Sequence, residues 1–359
     1  MPKLSAVDAI SPAFQNCKRL LFQPGRRRFW WRFGLLGLLT GELSSGGGFN
    51  FNVPSGASHH SGKFGANLQP AMLASTPDFA KIGAAVFAVL AVLILLWLCF
   101  MFVSSVCRFT LFENVIGRDV AFGEGWRRNF SHGVAYFGWM LLFTIALFAV
   151  IAVAIAGPVL AAYSTGGFTK GSLTGTAIAS VLWAVCGGLV LLLGSLVLWV
   201  LLKDFVVPMM QLENESFEGG CRRLFSLMSE EKGAFAGYIG MKIVLRMGAM
   251  FVLGIVVIAL LIAFAIPVGI VVYMLVTATK AGTLTWSIGS IALAATAGTA
   301  ILICFIYAIG IVGSPITVFF PSYALYFFAG RYPALEQILF PPPPPPMPQS
   351  EPPFEPAPV

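Results

Sequence analysis

Five uncharged apolar stretches constrain this chain of 359 residues more than any other feature. They run over 82–106, 134–162, 177–202, 247–277 and 287–328, and the shortest holds 25 residues. A helix needs about 20 apolar residues to cross a bilayer. In lipid it satisfies every backbone polar group internally, which an open sheet cannot do. Each stretch therefore predicts a membrane-spanning helix. The run 247–277 carries Pro267 and reads as one tilted helix kinked there. The run 287–328 is broken by Pro315 and Pro321, so its span is expected to end by about Val312 and to continue as an extension on the near side. A shorter run over 33–41 follows Trp30 and Trp31, rings suited to the headgroup level. By borrowing from that side it supplies a further span over about 29–43. The positive region before it is too long for a signal peptide and no small-x-small cleavage site follows, so this span is expected to remain.

The expected fold is thus all-α and polytopic, with about six transmembrane helices: 29–43, 82–106, 134–162, 177–202, 247–277 and 287–312. An N-terminal amphipathic segment, 1–28, precedes the membrane domain, 29–332. A proline-rich tail, 333–359, follows it. Only 10% of residues are charged, against about a quarter in soluble domains, and so few charges cannot cover a water-soluble surface. The net charge of +7 would suggest nucleic acid in a soluble protein. Here the cations cluster at the ends of apolar runs, which excludes that partner class. The two loop sets carry 18 and 4 Lys or Arg. The positive-inside rule then places both termini in the cytoplasm of a cell inner membrane. The six cysteines contain no CxxC pair and three lie inside apolar runs, a pattern of buried small side chains.

An internal repeat organises the chain. Phe217-Glu-Gly-Gly-Cys221-Arg222-Arg223 aligns with Phe122-Gly-Glu-Gly-Trp126-Arg127-Arg128, and Ala13-Phe-Gln-Asn-Cys17-Lys18-Arg19 fits the same frame. Upstream, Leu212-Glu213-Asn214 matches Phe112-Glu113-Asn114. Downstream, Tyr238-Ile-Gly240 matches Tyr136-Phe-Gly138. Pro321 to Leu325 aligns with Pro208 to Leu212 but lacks the Glu-Asn. The unit is a short amphipathic interfacial helix, a span out, a loop, a span back and, in two copies, a Glu-Asn exit. Three units give six spans. In the first copy Ser11-Pro12 is a helix start; Phe14, Cys17, Leu20 and Leu21 share one face and Lys18 and Arg19 another, as in a helix lying on the membrane. In the third, Ser216 or Asn214 can cap a helix with Phe217, Cys221, Leu224, Phe225 and Met228 on one face. In the second, Phe122, Trp126 and Phe130 occupy that face.

The stretch PMMQLEN over 208–214, then 217–223 and an apolar run, resembles the membrane domain of some bacterial glycerophosphoryl diester phosphodiesterases. It is also similar to six-span integral membrane families of uncharacterised function. The resemblance implies a helical membrane domain alone. In those phosphodiesterases catalysis belongs to a soluble barrel with paired Glu and His, and this chain has three histidines, His59, His60 and His132, and no room for a barrel.

The candidate residues follow from the repeat. Glu113 and Glu213 are expected to meet Arg127 or Arg128 and Arg222 or Arg223, with Asn114 and Asn214 beside them. Either each pair sets the angle between an interfacial helix and the preceding span, or the charges are solvated and worth about 0–1 kcal/mol. Lys242 and Arg246 lie one turn apart on one helix face and Lys203 flanks another span. These three either line a vestibule for an anionic lipid or substrate, or snorkel to the interface. The polar stretch 42–80 reads as an external loop. Its glycine triplet lacks the strand and Lys-Ser/Thr helix start of a phosphate cradle, and His59-His60 has no third ligand nearby. No catalytic constellation and no cofactor or metal site is expected. The tail over 341–359 should be extended polyproline, either solvated or bound by an aromatic groove on another protein. Two functions remain: a structural or accessory membrane protein organising lipid or a partner, and a transporter or lipid-handling permease with a site between repeats.

Overall fold

The computed structural model describes residues 3–23, 27–43, 79–117, 119–164, 175–280 and 288–340. His59-His60 and the tail over 341–359 lie outside them. Among the described residues helix is the only regular secondary structure, and five of these helices are long and apolar enough to cross a membrane. These are α3 (Phe79–Val115), α4 (Phe122–Ser164), α5 (Gly175–Leu201), α8 (Lys232–Lys280) and α9 (Ile288–Val312). The shorter helices are α1 (Ile10–Leu21), α2 (Arg27–Leu39), α6 (Val207–Glu213), α7 (Phe217–Glu230), α10 (Ser314–Ala329) and α11 (Pro333–Leu339).

The five long helices share one division. Large apolar side chains are exposed from Val86 to Phe100 on α3, Leu142 to Leu160 on α4, Ile178 to Leu196 on α5, Ile243 to Val276 on α8 and Ile291 to Ile306 on α9. Those segments face lipid. The opposite ends of α3, α4, α5 and α8 enter one aromatic-rich core together with the short helices, and α9 packs on α2. At its centre the Phe205 ring lies 4.9 Å from Phe328 and 5.1 Å from Tyr238, and Tyr238 stacks on Phe327 at 4.7 Å. The molecule is therefore a packed end from which five apolar helices project.

The helix expected over 29–43 is α2. It has 13 residues, fewer than the roughly 20 a crossing requires. It lies against α9 and α10, where small residues let backbones meet. A Cβ on Gly34 would sit 2.9 Å from the Gly310 carbonyl carbon and the Ile311 nitrogen. The apolar run that follows α8 breaks at Gly313, and α10 turns back into the packed end. Residues 333–339, placed in the tail by composition, form α11 with Leu335 fully buried.

The interfacial helices differ from expectation. α1 starts at Ile10 without a side-chain cap. It buries Ala13, Asn16, Cys17, Leu20 and Leu21 against the core, while Phe14 is 63% exposed. The polar Asn16 takes the inward position because its amide donates to the Val115 carbonyl and to Ser322 Oγ, both at 3.1 Å. The second copy has no separate interfacial helix: α4 runs unbroken from Phe122, since nothing between 130 and 136 interrupts it. Its aromatic face closes around Phe102, 6.1 Å from Trp126 and 5.8 Å from Phe130. In the third copy Ser216 is the cap, accepting from the Gly219 amide at 3.1 Å. Asn214 instead ends α6 in the left-handed conformation, φ 53°, which Asn tolerates better than most residues. Phe225 is exposed; Phe217 and Leu224 are buried.

Candidate functional site

Between α5 and α6 the helix widens into a π turn, Leu202–Val206. Pro208 supplies the reason. It has no N–H for the Asp204 carbonyl, and its ring crowds that carbonyl. The wider turn buries five consecutive side chains, Lys203 and Asp204 among them. Such insertions recur at functional sites.

Lys203 and Asp204 then pair in different directions. Lys203 Nζ lies 2.5 Å from Glu42 Oε1 just beyond α2, with 8% and 5% of the two side chains exposed. Asp204 Oδ2 accepts from Tyr238 at 2.7 Å and from Lys242, both on α8. One turn further along α8, Arg246 donates to the Glu42 carbonyl and covers the Phe320 ring at 4.7 Å. Arg108 on α3 completes the group. Its Nη2 donates to the Thr40 carbonyl at 3.2 Å, and its guanidinium lies 5.8 Å from the Tyr136 ring. Four cations thus gather with two carboxylates, from α3, the π turn, α8 and the segment after α2, where the packed end meets the lipid-facing helices. Lys203, Lys242 and Arg246 do share one site, as one sequence reading allowed, but Lys242 and Arg246 turn inward to protein acceptors. They do not snorkel outward.

A pocket of about 40 Å³ opens beside the group, between α3, the π turn, α6 and α10. Arg108, Lys203, Glu42 and Asp204 contribute its polar lining. Arg108 is 8% exposed, and its Nε and Nη1 have no hydrogen-bond partner among the described residues.

The repeat-derived residues form two further pairs. Arg128 bonds Glu113, which is buried and also accepts from Asn129 at 3.0 Å and from Gln211 at 3.1 Å. Arg223 Nη1 lies 2.5 Å from Glu213, which is 31% exposed, and the same guanidinium covers the Tyr332 ring at 4.9 Å. In both copies the second arginine makes the pair, while Arg127 and Arg222 stand exposed. Asn114 does not join the ion pair: its amide donates to the Thr110 and Val120 carbonyls at 2.8 and 3.3 Å, holding the turn after α3.

Sequence reasoning missed Glu42, Arg108, Tyr136 and Tyr238 as members of one group. Glu42 reads as the start of a polar loop and Arg108 as one more cation on the basic side. The available signal was Pro208, four residues after an adjacent Lys-Asp in an apolar run.

The chain matches a family of unknown function, DUF7544, over residues 4–338, and it belongs to that family. No curated protein and no solved structure matches it. These comparisons show no link to the glycerophosphoryl diester phosphodiesterases.

Proposed function

We propose that this DUF7544 member is a non-enzymatic accessory protein of the cell inner membrane that organises lipid around its packed end, with both termini in the cytoplasm. The observation that carries this reading is the division of the long helices. Their apolar side chains point outward over most of each crossing, so the largest surface the protein offers is a surface for lipid. The packed end brings residues from both ends of the chain together, with Tyr323 donating to the Ala6 carbonyl at 2.9 Å and Arg331 to the Leu4 carbonyl at 3.1 Å. This closeness supports a common side of the membrane for the cation-rich segments, in line with the positive-inside bias.

The three-unit reading of the sequence gives this end a plan. The Glu113 exit of the first unit meets Arg128 of the second, and the Glu213 exit of the second meets Arg223 of the third. The third exit, on α10, returns to α1, where Asn16 bonds Ser322. Tyr326 stands at the position of the missing Glu, within electrostatic reach of Arg19. A ring closed in this way is a rigid platform facing the headgroups. The tail beyond residue 340 is the segment proposed to reach a protein partner.

The test is purification into native-lipid nanodiscs, followed by mass spectrometry of what is retained. Enrichment of one lipid class over the bulk membrane supports the reading; retention in bulk proportions, with no protein partner, contradicts it. The buried charge group favours a second reading, a lipid-handling permease. That reading predicts protein-dependent movement of labelled lipid or anion in proteoliposomes, lost in Lys242→Ala.

A further inference from the structure

We propose that Arg19, on the outer side of α1, binds the phosphate of an anionic phospholipid, which fills the one junction between repeat units that has no carboxylate of its own. The proposal names the lipid group that the packed end holds, and so it rests on the lipid-organising reading.

Each junction brings the exit of one unit to the second cation of another. At two junctions the exit residue is a glutamate: Arg128 meets Glu113, and Arg223 meets Glu213. At the third the aligned residues are Arg19 and Tyr326. That junction is formed, because Asn16, one turn before Arg19, bonds Ser322, one turn before Tyr326. A phenol carries no charge at neutral pH, so what the junction lacks is the carboxylate. Arg19 is exposed and donates from Nη2 to Asn16 Oδ1 at 3.2 Å, a neutral acceptor; it meets no carboxylate among the described residues. Asp119, on the loop after α3, is taken by Arg32 at 2.8 Å. Gly117 on that loop, at φ 92°, puts no side chain over the guanidinium, where a Cβ would lie 3.7 Å from Nη2. The planar fork is left open to an oxyanion from outside the chain, and its geometry matches phosphate oxygens.

The surroundings select a lipid as the source. The apolar helix α9 ends at Val312, and Cys17 Sγ contacts the Pro315 carbonyl just past it, at 3.6 Å. Trp30 ties the end of α1 to the same level. Its Nε1 donates to the Leu21 carbonyl at 2.9 Å, and its carbonyl accepts from Ser314 Oγ at 2.8 Å. α1 thus lies where a lipid-facing helix ends, the depth at which headgroups begin. Its outer surface suits that depth. Phe14, Lys18 and Phe22 follow one another at the four-residue spacing of one helix face; both rings are exposed, as is Trp31. Aromatic rings set among cations are favoured at the boundary between acyl chains and headgroups. Anionic headgroups at that boundary attract nearby Lys and Arg.

The test titrates the full-length protein in detergent with short-chain phosphatidic acid, short-chain phosphatidylcholine and inorganic phosphate, and counts bound molecules by native mass spectrometry. One phosphatidic acid should bind roughly tenfold more tightly than phosphatidylcholine, the gain from about one charge-assisted hydrogen bond. Arg19→Gln should remove that gain. So should Tyr326→Glu, which keeps the arginine and gives it the carboxylate of the other two junctions. Arg222→Gln, an exposed site with the same change in net charge, should keep it. A gain unchanged in Arg19→Gln and Tyr326→Glu, or lost equally in Arg222→Gln, overturns the proposal. Inorganic phosphate that binds as tightly as phosphatidic acid overturns the lipid as occupant. A gain that appears only in the double variant Glu351→Gln/Glu355→Gln shows that the acidic tail fills the junction, and overturns the lipid likewise. Enrichment of one lipid class in nanodiscs that persists in Arg19→Gln keeps the lipid-organising reading and overturns this site. Arg19-dependent binding of phosphatidic acid, with bulk lipid proportions in nanodiscs, supports the site and contradicts that reading.

Discussion

Lys203 Nζ lies 2.5 Å from Glu42 Oε1, and both side chains are almost wholly buried. The pair joins the π turn after α5 to the end of α2, two elements far apart in sequence. Removing one partner from a buried pair leaves an uncompensated charge and costs about 3–5 kcal/mol. Lys203→Met and Glu42→Gln should each destabilise the protein by that order. The double variant should lose less than the sum. Chemical denaturation in detergent measures all three. Strict additivity would show that the two charges do not act on each other.

The two repeat-derived pairs should respond unequally. Glu113 is buried and serves three partners, whereas Glu213 is 31% exposed. Glu113→Gln should cost about 1–3 kcal/mol, the penalty for leaving buried groups unsatisfied. Glu213→Gln should cost no more than about 1 kcal/mol. Equal losses would mean that burial does not distinguish them.

Much of this design is legible in the sequence, and the reason is physical. The apolar runs at 82–106, 134–162, 177–202 and 247–277 exceed a bilayer's thickness, so length alone identifies them. The Glu113–Arg128 and Glu213–Arg223 pairs are near in sequence, and the motif repeats. The group around Lys203 is different. Glu42, Arg108, Lys203 and Lys242 meet through long-range packing, and no local pattern records that packing. The length of α2 was hidden because Trp30, Trp31 and residues 33–41 look like one end of a span, while its partners, Gly310 and Thr317, lie almost 300 residues away. Phe14 misled the reading of α1: helical spacing placed it with Cys17 and Leu20, but Asn16 won the inward position through its hydrogen bonds.

Glu231 gives a pH dependence. Hydrogen bonds from Lys3 and Arg331 hold its carboxyl below the usual 4.5. A lowered folded-state value means that its contribution is present above the unfolded value and lost as pH falls through the folded one. Wild type should therefore exceed Glu231→Gln in stability at neutral pH, and the gap should close on acidification below about 4.5. Denaturation midpoints of both proteins across that range provide the measurement. A gap constant with pH would contradict the assignment.

Cys17 should be chemically silent in the folded protein. Burial raises its thiol to about 11, and its Sγ contacts the Pro315 carbonyl at 3.6 Å. The thiolate is the reactive form, so a maleimide at neutral pH should label Cys17 only after denaturation, as read by peptide mass spectrometry. Rapid labelling of the native protein would show that α1 is not seated on α10.

The central claim, that the packed end gathers lipid of one class around it, is tested most directly by spin-labelled lipids in reconstituted membranes. Electron paramagnetic resonance separates lipid immobilised at the protein from bulk lipid. The account predicts that phosphatidic acid is enriched over phosphatidylcholine in the immobilised fraction, and that added salt weakens part of this preference. Equal immobilised fractions for the two lipids, at low salt and with wild-type protein, would contradict it.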